Sequence, residues 1–357
     1  MAHPTAEHES EVLRSCVEQA VFAEEMGFDR IWAVEHHALK WYAHMSAPEV
    51  FLAWVAAKTS RIRIGHGVVC MPFNYNHPVR VGERAAMLDT LSGGRLDLGA
   101  GRGATEQEMS LCGVSRATTK DEVAEALRMI GAMWQEDEFS WEGSFSIPPH
   151  SVLPRPEQRP HPPLYLACSR DDTVALAAEY GVGALALGFS GPDKVATLRK
   201  VYDNTIATRT GAQFVSTVVN DHFSALCPTI VLDDATLAYQ TGIRGQRFFQ
   251  ESITHWARGG PAPEEDVDDA DNEAVLAALE EEKSHLPASD ISSIPWSSDH
   301  AYGDAARAID YVEALIASGA DEIMCLIQMG TVSHQVCMET IRQWGTTVIP
   351  HFRASAA

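Results

Sequence analysis

Short apolar runs of strand length alternate with amphipathic segments of helical length along the whole chain, and this alternation restricts the fold more than any other feature. Residues 11–26 carry Val12, Leu13, Cys16, Val17, Ala20 and Val21 at helical spacing and stop at Gly27. The pattern then predicts strand 28–34, helix 48–59, strand 62–71, helix 78–91, strand 95–98 and helix 118–134. Residues 139–156 have hairpin character and run into a proline-rich crossing. Strand 164–168, helix 172–180, strand 183–187, helix 192–208, strand 214–227 and helix 235–252 follow, then helix 305–318, strand 322–328 and helix 333–344. Strands joined by helices pair in parallel with right-handed crossovers. Seven strands are legible; a (β/α) barrel of eight needs one more. Residues 1–10 are polar and read as no strand, so the missing one would precede Glu11 unless another segment takes its place. The expectation is a single α/β barrel domain over residues 1–357.

One connection differs from the rest. Residues 256–302 open on Gly259-Gly260-Pro261, and residues 264–282 hold ten acids and no base. Asp266, Asp268 and Asp271 suggest a calcium loop, but the glycine at its sixth position is absent, which rejects that reading. The segment, placed before the seventh helix of the barrel, reads either as a lid or as an inert solvated insertion. The whole chain has 27 basic and 49 acidic residues, a net charge of −22, which argues against nucleic acid or an anionic membrane as partner. Its seven cysteines are scattered through apolar segments without a C-x-x-C, as in a reduced, cytoplasmic protein. No signal peptide or membrane-spanning apolar run is visible.

Two stretches carry chemistry. In Gly93-Gly94-Arg95-Leu96-Asp97-Leu98-Gly99-Ala100-Gly101-Arg102-Gly103, a strand is expected to give way at Gly99 to a tight glycine turn whose one charge is Arg102. Backbone amides beside a guanidinium suit a phosphate. Gly99-x-Gly101-x-x-Ala104 loosely matches a dinucleotide fingerprint, but Asp121 and Glu122 fall at a helix start instead of the end of the next strand, so that reading is weak. Glu35-His36-His37 lies just past the first legible strand, at the face where barrel active sites form. Adjacent histidines in an extended stretch point opposite ways, so no metal is expected; one of them facing the barrel mouth as a proton donor, or a capped loop histidine, remains.

Phe28-Asp29-Arg30-Ile31-Trp32-Ala33-Val34-Glu35-His36-His37 resembles the signature of the bacterial luciferase-like flavin-dependent monooxygenases. Gly65-x-Gly67-Val68-Val69-Cys70-Met71-Pro72 with His77-Pro78, the stretch Ser92–Gly103, Pro162–Ser169 and Gly319-Ala320-Asp321-Glu322 resemble later segments of that family in the same order. The resemblance implies a (β/α)8 TIM barrel, here short of its first strand, that binds FMN at its carboxyl face. Reduced flavin and O2 would form a flavin hydroperoxide that oxygenates a small organic substrate, the flavin being reduced by a separate reductase. A cytoplasmic homodimer is the implied assembly. Arg102 with the amides of Gly103 and Ala104 would hold the flavin phosphate, helped by Ser169, Arg170 and Thr173. Gly67 and Val68 would join through a non-proline cis peptide against the flavin ring. His36 takes the family's catalytic histidine position; His222 is a second catalytic candidate, and Trp41, Tyr42 and Gln328 are substrate candidates. An F420-dependent oxidoreductase on the same fold, and a non-catalytic flavin-binding partner subunit, are the alternatives.

Overall fold

The computed structural model describes residues 4–187, 189–265, 267–285 and 296–355. In chain order the elements are α1 (Ala6–Glu25), β1 (Arg30–Ala33), α2 (Pro48–Lys58), β2 (Arg63–Cys70), α3 (Pro78–Ser92), β3 (Leu96–Gly101), α4 (Glu106–Cys112), α5 (Thr119–Gln135), β4 (Phe139–Glu142), β5 (Ser146–His150), β6 (Leu164–Cys168), α6 (Asp171–Tyr180), β7 (Gly183–Ala186), α7 (Pro192–Thr208), β8 (Phe223–Val231), α8 (Ala235–Arg258), α9 (Asp269–Ser284), β9 (Ala301–Gly303), α10 (Ala305–Ala317), β10 (Glu322–Leu326), α11 (His334–Gln343) and α12 (Ile349–Ser355). A single π turn, Trp344–Val348, joins the last two helices.

The sheet runs β1-β2-β3-β6-β7-β8-β10, with β9 added on β8, and every pairing in it is parallel. It curls into a half-barrel with helices outside, the expected α/β barrel class. β3 and β8 are buried along their whole length, as parallel strands covered on both faces must be. The main core lies between sheet and helices, where Leu127, Met129, Ile130 and Met133 of α5 meet Leu96, Leu98 and Leu164.

Several boundaries depart from the sequence pattern. The strand expected at 95–98 continues to Gly101, because Gly99 and Gly101 are strand residues under the Val68 side chain: a Cβ on Gly101 would lie 2.3 Å from Val68 Cγ2. The turn begins only at Arg102, with Gly103 at φ 82°. The strand expected at 214–227 is shifted to Phe223–Val231. Side chains hold the preceding stretch as a loop: His161 Nε2 bonds Ser216 Oγ at 2.5 Å, and Asn220 Nδ2 donates to the Leu164 carbonyl at 3.0 Å. α4, absent from the pattern, is set by a capping box in which Thr105 and Glu108 satisfy each other's backbone amides. α1 starts at Ala6, inside the stretch read as polar, because Thr5 caps it by accepting from His8 N.

β9 is an eighth strand in the sheet, three residues long and invisible to periodicity. Among the described residues no backbone pairing joins β10 to β1. Side chains bridge them at the amino end of the strands. Glu322 on β10 accepts from Arg30 Nη1 at 2.6 Å, Trp32 Nε1 at 3.0 Å, Ser224 Oγ at 2.8 Å and His222 Nε2 at 3.0 Å. Asp97 accepts from Arg30 Nε at 2.7 Å and from Arg63 Nε at 2.8 Å. Burial pushes the Glu322 carboxyl up, but these bonds and the Arg30 charge overcome it and hold it down to about 2.

Candidate functional site

A cavity of about 890 Å³ opens at the carboxyl ends of the strands and continues down the unpaired β10–β1 side, past α1, to Arg30, Trp32 and Glu322. Gly67, Val68 and Cys70 of β2 form its floor, with Leu166 of β6, Leu185 of β7 and Leu226 of β8. One end is closed by the turn after β3 and the start of α6, through Arg102, Gly103, Ala104, Ser169 and Thr173, with Lys120 of α5 beside them. His36 and Tyr42 enter from the loop after β1, and Gln328 from just past β10. The Gly67–Val68 peptide bond is cis, as the resemblance implied. Among the described residues, no group of three or more His, Cys, Asp and Glu side chains is placed to hold a metal ion.

Arg102 makes no hydrogen bond or ion pair among the described residues. Burial weakens its hold on its proton, and the nearby Arg170 and Arg116 charges add to this while Asp172 opposes it. A half-buried guanidinium with cationic neighbours fits an anionic group of a ligand. The glycine beside it is otherwise engaged: the Gly103 amide donates to the Cys70 sulfur.

The helix start opposite is built differently from expectation. Thr173 Oγ1 accepts from the amides of Ser169 at 3.1 Å and Arg170 at 3.2 Å and donates to the Arg170 carbonyl at 2.8 Å. Its hydroxyl is thereby occupied in capping α6, which positions Ser169 at the cavity. Arg170 does not line the cavity; its contribution is the charge it sets beside Arg102.

His36 is oriented by a residue that the sequence reading passed over. Its Nδ1 bonds Glu108 Oε1 at 2.9 Å, and the same oxygen accepts the His37 amide at 3.1 Å. Glu108 Oε2 accepts the Thr105 amide and hydroxyl, both at 3.0 Å. Glu108 is fully buried. Burial pushes its carboxyl up, but the bonds from His36, His37 and Thr105 and the His36 charge bring it below its ordinary range. A carboxylate on Nδ1 fixes the imidazole and leaves Nε2 for proton work. The signal was present in sequence as Thr105-x-x-Glu108, a capping-box spacing directly after the Gly-Arg turn. His37 faces away: its Nε2 meets Glu35 Oε1 at 2.9 Å, and that bond raises its basicity.

Two candidates are not where the sequence suggested. His222 precedes β8 at the amino end of the sheet, bonded to Glu322, and takes no part in the cavity, because β8 starts nine residues later than the pattern indicated. Trp41 lies behind the wall, its ring 5.7 Å from that of Trp256, which does line the cavity. Tyr42 is a wall residue, edge-on to His36 at 4.7 Å. Gln328 lines the cavity with Oε1 accepting from the Cys16 thiol at 3.2 Å.

Residues 1–223 match the family described as luciferase-like monooxygenase. 4-Hydroxyprotoasukamycin monooxygenase of Streptomyces nodosus subsp. asukaensis is 34% identical over 192 residues, 52% of this chain and 50% of that protein. F420-dependent glucose-6-phosphate dehydrogenase of Kineococcus radiotolerans is 34% identical over 180 residues, 49% of this chain and 52% of that protein. In both, the match spans about half the relative's length. The oxygenating constituent of 3,6-diketocamphane monooxygenase of Pseudomonas putida, solved with FMN, superposes with a TM-score of 0.73 at 18% identity, covering 98% of this chain and 95% of that one. That likeness is one of fold.

Proposed function

The chain belongs to the luciferase-like monooxygenase family, and on that premise we propose that it is the oxygenase of a two-component system. It takes up FMN reduced by a separate reductase and inserts oxygen from O2 into a small organic substrate. Arg102 carries this reading: a half-buried cation without a partner among the described residues, at the end of a large cavity, suits the phosphate of a flavin. Val68 and Gly67 back the ring system, and Ser169 offers a hydroxyl beside the phosphate. Reduced flavin supplies two electrons and the atom that engages O2. The chain's own groups do the rest. His36, held by Glu108, keeps or moves a proton at Nε2, while the leucines of the floor keep water out.

Residues 1–357 act as a single domain in this proposal, and two copies form a homodimer in the cytoplasm. Among the described residues of 256–302, Trp256, Glu265, Lys283 and Trp296 line the cavity; Asp266 and 286–295 lie outside the described residues. This lining role favours the lid over the inert insertion.

Titration with FMN, FMNH2 and F420 decides the cofactor, followed by flavin fluorescence. Truncating one partner of a charge-assisted pair costs about 2–5 kcal/mol. Arg102→Ala is therefore expected to weaken FMN binding well over tenfold with the far-UV spectrum unchanged. Unaltered affinity removes the assignment. Tight binding of F420 alone moves the chain to hydride transfer without oxygen, the chemistry in the Kineococcus relative's name.

A further inference from the structure

Away from Arg102 the cavity ends in a run of rings. Tyr42 stacks on Phe249 with centroids 4.7 Å apart and planes at 19°, and Phe249 meets Trp296 at 5.7 Å. Phe189 and Trp296 stack at 3.7 Å and 2°. The rings come from four separate stretches, and Trp296 is fixed in place. Its amide donates to Glu280 Oε2 at 2.9 Å, and the next amide, of Ser297, donates to the Phe189 carbonyl at 2.7 Å.

Next to Phe249 in sequence stands Gln250, only 2% exposed and lining the cavity, bonded to Lys283, whose ammonium lies 4.9 Å from the Trp296 ring. Lys283 Nζ donates to Gln250 Oε1 at 3.1 Å and to Glu280 Oε1 at 2.6 Å. An ammonium only donates, so it selects the amide oxygen and turns the amide nitrogen the other way. Gln250 Nε2 is buried and has no partner among the described residues. A buried donor with a fixed direction and no partner, in a wall of apolar rings, is the arrangement by which a pocket orients one polar atom of its ligand.

Resting on the oxygenase reading above, we propose that the substrate is a planar, conjugated molecule whose carbonyl or carboxylate oxygen accepts from Gln250 Nε2. Aromatic faces favour flat π systems over saturated chains of equal area. A site built to hydrogen-bond a ligand also discriminates strongly against the analogue that lacks the polar atom.

The test uses the full chain with FMN present and four probes: 2-acetylnaphthalene, 2-naphthoate, 2-ethylnaphthalene and decanal, with binding read by calorimetry. The ketone and the naphthoate are expected to bind at least about tenfold tighter than 2-ethylnaphthalene, and decanal weakest. Gln250→Glu keeps the Lys283 contact but replaces the donor by an acceptor. It is expected to abolish the ketone's advantage, reject the naphthoate and leave 2-ethylnaphthalene within about twofold. Gln250→Met, of similar length, is the second variant if the first does not fold, and it too loses the advantage. Equal binding of ketone and hydrocarbon by the native protein overturns the proposal. So does tighter binding of decanal, or an advantage that survives either variant. FMN affinity, measured in parallel, separates the two readings. Normal FMN binding without the probe ranking sinks this inference alone, and the ranking without any flavin binding sinks the oxygenase reading alone.

Discussion

Replacing Glu108 by Gln exchanges one oxygen for an NH2 group and poses a problem the site cannot solve. Each carboxylate oxygen serves a backbone amide that can never become an acceptor: Oε1 takes His37 N at 3.1 Å, and Oε2 takes Thr105 N at 3.0 Å. A glutamine amide has one oxygen and one NH2. Whichever way it turns, the NH2 faces one of those N–H groups. His36 could adapt by changing tautomer and the Thr105 hydroxyl by rotating, but the backbone cannot. One buried N–H is left unpaired, at about 1–3 kcal/mol, and the charge-assisted bonds of the carboxylate are lost as well. Glu108→Gln is therefore expected to lower stability by about 2–5 kcal/mol, read from urea unfolding. If the NH2 turns toward His36, the histidine must carry its proton on Nε2 instead of Nδ1, and ring ¹⁵N shifts would record the exchange. If it turns toward Thr105, the start of α4 frays and amide exchange there rises. A variant within about 0.5 kcal/mol of the parent, with the His36 tautomer and α4 protection unchanged, would refute the idea that Glu108 acts as an obligate double acceptor.

His36→Ala is expected to keep FMN affinity within about twofold and to lose product formed per reduced flavin by about 10²–10⁴-fold; near-parental yield returns His36 to a loop-capping role. Glu322 has a folded-state pKa of about 2 against 4.5 for the free group. A depressed carboxyl contributes stability that is full above about pH 4.5 and lost as pH falls toward 2, on the order of 3 kcal/mol. The stability gap between parent and Glu322→Gln should therefore be constant above pH 5 and shrink below it, and a gap independent of pH excludes the linkage. Gly101→Ala puts a Cβ 2.3 Å from Val68 Cγ2 and should cost roughly 1–3 kcal/mol by overpacking, restored by Val68→Ala in the double variant. Additive losses in that double variant contradict the contact.

Most of the fold was legible because burial on both faces imposes long apolar runs on parallel strands, as in 62–71 and 183–187, and because Pro192 marks a helix start. What escaped depends on partners distant in sequence. Residues 214–222 have strand-like composition but are fixed as a loop by His161 and by Asn220 reaching Leu164. β8 then runs on through Pro228, past the last pairing with β7 at Ala225. β9 is too short for any period to appear, and it adds to β8 without pairing β10 to β1. At the site, His36 and Arg102 stood out through local context. Glu108 did not, because its role comes from contact across 72 positions of sequence. The aromatic end, assembled from four stretches, has no sequence signature either.

The half-buried Arg102 sits in a chain of net charge −22, yet Arg170 and Arg116 are close enough to repel it. With only Asp172 opposing them, this is a locally frustrated cluster, and under the phosphate-anchoring proposal the repulsion is tolerated for the ligand. Selection for fold stability alone would remove such a cluster, and a neutral residue at 102 is the cheapest way to do so. If Arg102 anchors a phosphate as proposed, descendants that lose that ligand should drift toward a neutral 102 and a more stable fold, so the residue at this position would serve as an evolutionary marker of binding.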